Sequence, residues 1–148
     1  MNLILASTSR YRRELLARLQ IPFECVPPEV DETPRSNESP ETLATRLAQA
    51  KAMAVAAMRP HALVIGSDQV AACGTTILGK PGSHEKALEQ LRLLSGRSAI
   101  FHTALCMVNS DTNEQRCTLV PVRVKFRVLE DALIERYLRK ERPYDCAG

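Results

Sequence analysis

The chain contains no tryptophan and only three tyrosines and three phenylalanines among its 148 residues. Single-stranded nucleic acid is usually bound by stacking bases on aromatic side chains, so this shortage argues against such a partner. No apolar run approaches the roughly 20 residues that cross a membrane, and no N-terminal stretch resembles a secretion signal. No two cysteines have Cys-x-x-Cys spacing, which leaves zinc and redox motifs without support.

These absences favour a reducing cytoplasm as the compartment in which the protein acts. Several cysteines lie in apolar, strand-like runs, where we expect them to act as small apolar side chains. The chain carries Cys25, Cys73, Cys106, Cys117 and Cys146. Its hydrophobic fraction of 45% and charged fraction of 25% are typical of a globular protein, so we expect one domain over residues 1–148. The net charge of +3 suits an anionic ligand without requiring nucleic acid.

The hydrophobic pattern predicts the order β-α-β-α-β-β-β-α-β-β-α, which is an α/β fold with a mixed sheet and flanking helices. Strands are predicted at 2–6, 21–26, 61–66, 70–73 and 76–78, with two longer strands between 99 and 128. Helices are predicted from 10 to about 19, from 40 to about 58, after Ser83, and from 130 to 140. An acidic, proline-rich loop fills residues 27–40, and loops of this length in a compact domain are usually functional.

Ser7-Thr8-Ser9 stands between the first strand and a helix whose start is rich in arginine. A helix N-terminus presents backbone N–H groups and the positive end of the helix dipole. Arg12 and Arg13 add planar guanidinium groups that pair with phosphate oxygens. The segment has no Walker-type G-x-x-x-x-G-K-[ST] pattern. It predicts a site for several phosphates; the alternatives are an ordinary helix cap and a solvated arginine-rich helix face.

Asp68 directly follows a predicted buried strand, where α/β folds place ligands. Its carboxylate could hold a divalent metal or accept a proton from water. Asp31 and Glu32 in the acidic loop are companion carboxylates, and Lys51 and Lys80 could neutralise phosphate charge. Taken singly, each residue also has an ordinary explanation. Asp68 is explained as a turn residue at the end of a strand, Asp31 and Glu32 as part of a solvated loop, and Lys51 and Lys80 as surface lysines.

Five segments, in the same order along the chain, resemble motifs of the Maf family of nucleotide pyrophosphatases. They are residues 5–13 (Leu-Ala-Ser-Thr-Ser-Arg-Tyr-Arg-Arg), 28–34 (Pro-Glu-Val-Asp-Glu-Thr-Pro), 47–52 (Leu-Ala-Gln-Ala-Lys-Ala), 65–70 (Ile-Gly-Ser-Asp-Gln-Val) and 79–81 (Gly-Lys-Pro). The resemblance covers essentially the whole chain and is greatest to the subgroup that hydrolyses 7-methyl-GTP. It implies a fold similar to that of inosine triphosphate pyrophosphatases, with two lobes around a cleft. Family members continue for several tens of residues beyond the Cys-Ala-Gly motif at 146–148, so we expect this chain to lack a C-terminal segment.

The resemblance also implies a reaction, in which water attacks the α-phosphorus and releases a nucleoside monophosphate and pyrophosphate. Asp68 would be the general base or a metal-bound carboxylate, and Glu32 would help hold Mg²⁺ or Mn²⁺. The residues expected to bind the substrate are Ser7, Tyr11, Arg12, Arg13, Lys51, Gln69 and Lys80. Tyr11 and Gln69 fall where the family varies with base preference, and a methylated, cationic guanine would stack well on Tyr11.

The family further suggests a homodimer. The clustering of the basic residues and the shortage of aromatics argue against a nucleic-acid partner, and the absence of a long apolar run argues against a membrane partner. The alternative function is that of a nucleotide-binding regulator, linked to cell division, that does not turn its ligand over.

Overall fold

The computed structural model describes residues 1–147 and contains four helices and six strands; Gly148 of the Cys-Ala-Gly motif lies outside the described residues. In chain order the elements are β1 (Asn2–Ala6), α1 (Arg10–Ala17), β2 (Glu24–Val26), α2 (Pro40–Ala56), β3 (Ala62–Cys73), β4 (Thr76–Leu78), α3 (His84–Leu94), β5 (Ser98–Asn109), β6 (Gln115–Lys125) and α4 (Asp131–Glu141). The strands form one sheet in the order β2-β1-β3-β5-β6, with β4 paired to β3. The predicted α/β class with a mixed sheet is confirmed.

β3 is one continuous strand, whereas the sequence predicts two strands in this region. It runs parallel to β1 as far as the pair Ala6↔Gly66 and pairs with β4 in antiparallel orientation from Ala71 to Cys73. Because β5 lies on its other side, β3 keeps a neighbouring strand after β1 has ended. The prediction that Asp68 follows the end of a strand is therefore wrong. Asp68 lies within β3, two residues beyond the last pair with β1.

Helix α1 and strand β2 are both shorter than predicted. After Ala17 the backbone tightens, because the amides of Arg18 and Leu19 donate to carbonyls three residues earlier. Gln20 then has a positive φ of 57°, which ends the helical turn. Strand pairing begins only at Glu24, two residues after Pro22, which has no backbone N–H to donate.

The first compact unit comprises residues 1–69 and 103–120. Its helix α2 begins where the Ser39 hydroxyl caps the backbone amide of Thr42 at 3.2 Å, with Pro40 in the first turn. The buried face of α2 carries Ala48 and Ala52, both fully buried. Such small side chains allow the helix axis to lie close to the sheet.

Cys106 of β5 and Cys117 of β6 form a disulfide, with their Cα atoms 4.1 Å apart. The expectation that the cysteines act only as small apolar groups is therefore wrong for this pair. The two residues are eleven positions apart on neighbouring strands, and the turn at residues 110–113 places them opposite each other. Where the bond is formed, a cross-link that closes a loop of this length restricts the unfolded chain.

The second compact unit comprises residues 70–102 and the chain from Pro121 onward. Helix α3 is capped by the Ser83 hydroxyl and packs against α4. The buried side chains of this core are Ala71, Cys73, Leu78, Ala87, Leu91, Leu94, Ala99, Ile134 and Leu138. Among residues 1–147, no helix has the length and apolar character needed to cross a membrane.

A substitution at Gly66 tests how closely α2 approaches β3. A Cβ at Gly66 would overlap the Ala48 carbonyl oxygen and lie 2.6 Å from the Ala52 backbone nitrogen, and backbone atoms cannot rotate away. We expect Gly66→Ala to lower the free energy of unfolding by about 1–3 kcal/mol, measured by urea denaturation. Gly79→Ala is the matched control, because a Cβ there meets nothing within 4 Å. Equal stability of the two variants would contradict the packing argument.

Candidate active site

Lys51 of α2 and Asp68 of β3 form a buried ion pair, with Nζ 2.7 Å from Oδ1 and side chains 7% and 10% exposed. The same Nζ lies 2.9 Å from Oε1 of Glu32, whose side chain in the acidic loop is 60% exposed. One ammonium group therefore joins two carboxylates that are distant in sequence. Because an unpaired charge is costly to bury, Lys51 and Asp68 each depend on the other for compensation.

Arg12 of α1 lies within electrostatic reach of both carboxylates. Burial lowers the pKa of its guanidinium, while the negative charges of Asp68 and Glu32 partly oppose that shift. An arginine stays protonated at neutral pH even with a lowered pKa. Arg12, Glu32, Lys51 and Asp68 thus form a four-charge cluster of two cations and two anions.

Ser7 and Ser9 stand before α1, the helix that carries Arg12 of this cluster. The buried Ser7 hydroxyl oxygen accepts the Ser9 amide at 3.1 Å, and the Ser9 hydroxyl oxygen accepts the Arg12 amide at 3.4 Å. The Ser9 hydroxyl therefore caps the helix, which is one of the two alternatives for this segment, and the Ser7 hydroxyl closes a local turn before it. Each hydroxyl keeps its own hydrogen, which can still be donated to a second partner.

Tyr11 and Gln69 make other contacts. The Arg10 guanidinium lies 4.7 Å from the centre of the Tyr11 ring, and Arg10 Nη2 donates to the Tyr11 hydroxyl at 2.8 Å. Gln69 alternates with Asp68 along β3 and so points to the opposite face of the sheet. Its Nε2 donates to the Thr103 hydroxyl at 2.7 Å.

Arg13 and Lys80 are both exposed, and Arg13 makes no described contact with the four-charge cluster. Arg13 lines an open surface groove together with the connection from α1 to β2, including Gln20 and Phe23. Lys80 lies in the loop after β4 and belongs to the second unit.

Within the acidic loop, Asp31 and Glu32 have different contacts. The Asp31 Oδ1 accepts both the amide and the hydroxyl of Thr33, at 2.9 and 2.6 Å, and these bonds lower the pKa of Asp31. Asp31 therefore closes a local turn, while its neighbour Glu32 reaches Lys51.

Glu38 and Arg46 form a bidentate ion pair that the sequence analysis did not identify. Arg46 Nε and Nη2 lie 2.6 and 2.9 Å from the two Glu38 oxygens, and Nη2 also donates to the Thr33 carbonyl at 3.1 Å. These bonds lower the pKa of Glu38 to about 2 and raise that of Arg46. No short-range spacing marks the pair, because the start of α2 lies between its members. Gly66 was also missed, although a lone glycine in a buried strand does signal a close backbone approach.

Glu32 and Asp68 are the carboxylates that this cluster offers to a divalent cation. Across residues 1–147, His, Cys, Asp and Glu side chains nowhere gather in a group of three or more that could hold a metal by themselves. Mg²⁺ in nucleotide sites is commonly held by one or two carboxylates together with substrate phosphates and water. Glu32 and Asp68 both approach the Lys51 ammonium group, so their carboxylates lie near enough to each other to fit such an ion beside it.

The fold and the site define a class: a mixed-sheet α/β protein whose capped helix start adjoins a lysine–carboxylate cluster. The chain belongs to the Maf family, because the family description "Maf-like protein" matches residues 2–148. A 7-methyl-GTP pyrophosphatase of Methylobacillus flagellatus is 57% identical over 146 residues, which are 99% of this chain and 76% of that protein. Proteins of the same name from Aromatoleum aromaticum and Nitrosococcus oceani are 58% and 54% identical over 99% of this chain, which covers 75% and 73% of them. The predicted family is confirmed.

The lowered pKa of Glu38 predicts a pH-dependent contribution to stability. A carboxyl whose pKa falls from 4.5 to about 2 on folding stabilises the native state above pH 4.5 and loses that effect as the pH falls towards 2. Wild type should therefore exceed Glu38→Gln in stability at pH 7, and the difference should shrink steadily below pH 4.5. Urea denaturation of both proteins between pH 7 and pH 3 measures this difference. Glu29→Gln, which changes an exposed loop carboxylate, is the control and should have the stability of the wild type across this pH range. A stability difference between wild type and Glu38→Gln that did not change with pH would contradict the assignment.

Proposed function

We infer that this chain is a nucleoside triphosphate pyrophosphatase that hydrolyses the bond between the α- and β-phosphates of 7-methyl-GTP. The observation that carries the inference is the Asp68 carboxylate, held 2.7 Å from Lys51 and within reach of Arg12 beside a capped helix start. Support for the substrate comes from relatives more than 50% identical that bear the name 7-methyl-GTP pyrophosphatase.

In the proposed reaction Asp68 accepts a proton from the attacking water. The water oxygen bonds to the α-phosphorus while the bond from that phosphorus to the bridging oxygen breaks, so the products are a nucleoside monophosphate and pyrophosphate. Lys51, Arg12 and the hydroxyl of Ser7 hold the phosphate oxygens, with Arg13 as a further cation for the triphosphate. The phosphate contact expected of Lys80 stays a prediction. Preorganised positive charge of this kind supplies most of the catalysis in phosphoryl transfer.

A divalent metal ion, Mg²⁺ or Mn²⁺, completes the proposed site, held by Glu32 and Asp68. When bound it neutralises phosphate charge and makes water easier to deprotonate. The charge balance of the site favours a bound metal ion, because the two anions of the four-charge cluster already balance its two cations. A triphosphate adds several negative charges that Arg12 and Lys51 alone would not offset.

The base is read by Tyr11 at the start of α1; the contact expected of Gln69, on the opposite face of the sheet from Asp68, stays a prediction. Arg10 lies over the Tyr11 ring, so this ring face already accommodates a planar cation. Methylation at N7 makes guanine cationic, and the methylated base would take the place of the guanidinium.

The proposed compartment is the cytoplasm, where nucleoside triphosphates are made and used. In a reducing compartment the Cys106–Cys117 disulfide would form only transiently. The homodimer suggested by the family stays a prediction.

Asp68→Asn removes the proposed general base. We expect kcat for pyrophosphate release from 7-methyl-GTP with Mg²⁺ to fall by about 10²–10⁴-fold, which is the usual contribution of a positioned base. Asp131→Asn is the control, because it also removes the carboxylate of an ion pair, here with Arg92 in the second unit. Thermal unfolding of each variant separates lost chemistry from lost structure. Wild-type kcat in a folded Asp68→Asn protein would disprove the role of Asp68.

Tyr11→Ala removes the proposed stacking surface. We expect the preference for 7-methyl-GTP over GTP, as a ratio of kcat/KM values, to fall by about three- to tenfold, because a cation–π contact contributes about 1 kcal/mol. Tyr11→Phe keeps the ring and should keep the ratio, although it loses the hydrogen bond from Arg10. If Tyr11→Ala left the ratio of kcat/KM values for 7-methyl-GTP and GTP unchanged, Tyr11 would have no role in base recognition.

A further inference from the structure

Glu32 is exposed, yet its carboxylate must reach a buried partner. Its side chain is 60% exposed, and its described contact in the cluster is Lys51 Nζ at 2.9 Å. An ion pair with one exposed partner is too weak to hold a mobile side chain by itself. The place of this carboxylate is therefore set by how the backbone of the acidic loop is held.

Arg46 attaches the acidic loop to α2 at two points, one on the backbone and one on a side chain. Its guanidinium donates to the Thr33 carbonyl, one residue after Glu32, and to both carboxylate oxygens of Glu38. The Glu38 side chain is only 5% exposed, and it also accepts the Arg35 amide at 3.0 Å. A planar guanidinium with three bonds to the loop fixes both its position and its orientation.

Arg46 and Lys51 lie on the same helix, five residues and therefore about 7.5 Å apart along its axis. Lys51 contacts the Glu32 side chain, and Arg46 contacts the backbone of the next residue, Thr33. One rigid element thus presents both the partner of the carboxylate and the anchor of its backbone. A shift of the loop along α2 would break both contacts.

We propose that Arg46 is a positioning residue: by binding Thr33 and Glu38 it keeps the Glu32 carboxylate at Lys51 and Asp68. The proposal rests on the proposed pyrophosphatase function, in which Glu32 helps hold the divalent cation. Arg46 itself is occupied by the loop and acts through Glu32.

Arg46→Met removes the guanidinium and keeps the aliphatic stem. We expect kcat with 7-methyl-GTP to fall and the Mg²⁺ concentration for half-maximal activity to rise, each by about ten- to a hundredfold, as for groups that orient a metal ligand. The KM for the nucleotide should change much less. Arg46→Lys keeps the charge without the fork and should give an intermediate loss.

A double variant separates positioning from general damage. In a Glu32→Gln background, adding Arg46→Met should lower kcat by less than about twofold, because the carboxylate to be positioned is already gone. A further loss as large as in the wild-type background would overturn the proposal. Arg92→Met is the matched control: it breaks an equivalent bidentate pair with Asp131, and activity should stay at the wild-type level.

Trypsin cleavage after Arg35 tests, without any nucleotide substrate, whether Arg46 attaches the acidic loop to α2. Arg35 lies in the exposed loop that Arg46 holds, so cleavage should be several-fold faster in Arg46→Met than in wild type and unchanged in Arg92→Met. Unchanged cleavage in Arg46→Met would overturn the proposal whatever the substrate. A wild-type protein that hydrolyses no triphosphate would refute the proposed function, and the cleavage result would still report on the role of Arg46.

Discussion

The ion pair between Lys51 and Asp68 is the interaction on which the other features of the site depend. Both side chains are buried, and a buried charge without a partner destabilises a fold by several kcal/mol. The pair therefore requires that α2 and β3 lie close together in one fixed relation. Gly66 permits this approach because it has no Cβ to meet the backbone of Ala48 and Ala52.

The same pair explains why the acidic loop is ordered. Lys51 has room for a second carboxylate, and Glu32 supplies it from the loop, while Arg46 holds the loop through Glu38 and the backbone next to Glu32. Lys51 and Arg46 both project from α2, so a single rigid helix organises the loop. The resulting cluster is close to neutral, which makes it tolerable when buried and leaves it short of positive charge for a polyphosphate. Charge balance thus connects the stability of the site with the divalent cation proposed for it.

Much of the fold was predictable because its signals are local. Serine caps, a proline in the first turn and helix-period apolar residues gave α2 and α3 nearly as the structure has them. The errors arose where pairing with a distant segment outweighed the local pattern. β3 continues through Asp68 because β5 lies beside it, and Cys106 finds Cys117 because two strands pair. Neither partner is visible in the residues that surround these positions.

The sequence by itself determined the order of the elements, the caps and the kinds of side chain available for phosphate and metal chemistry. These properties follow from hydrogen bonds and apolar contacts over a few residues, which the local pattern records. Only the tertiary structure decided that Lys51 meets Asp68 and Glu32, and that Arg46 meets Glu38. Such contacts depend on which helix packs on which strand and how closely, and that depends on the shape and volume of side chains far apart in the chain.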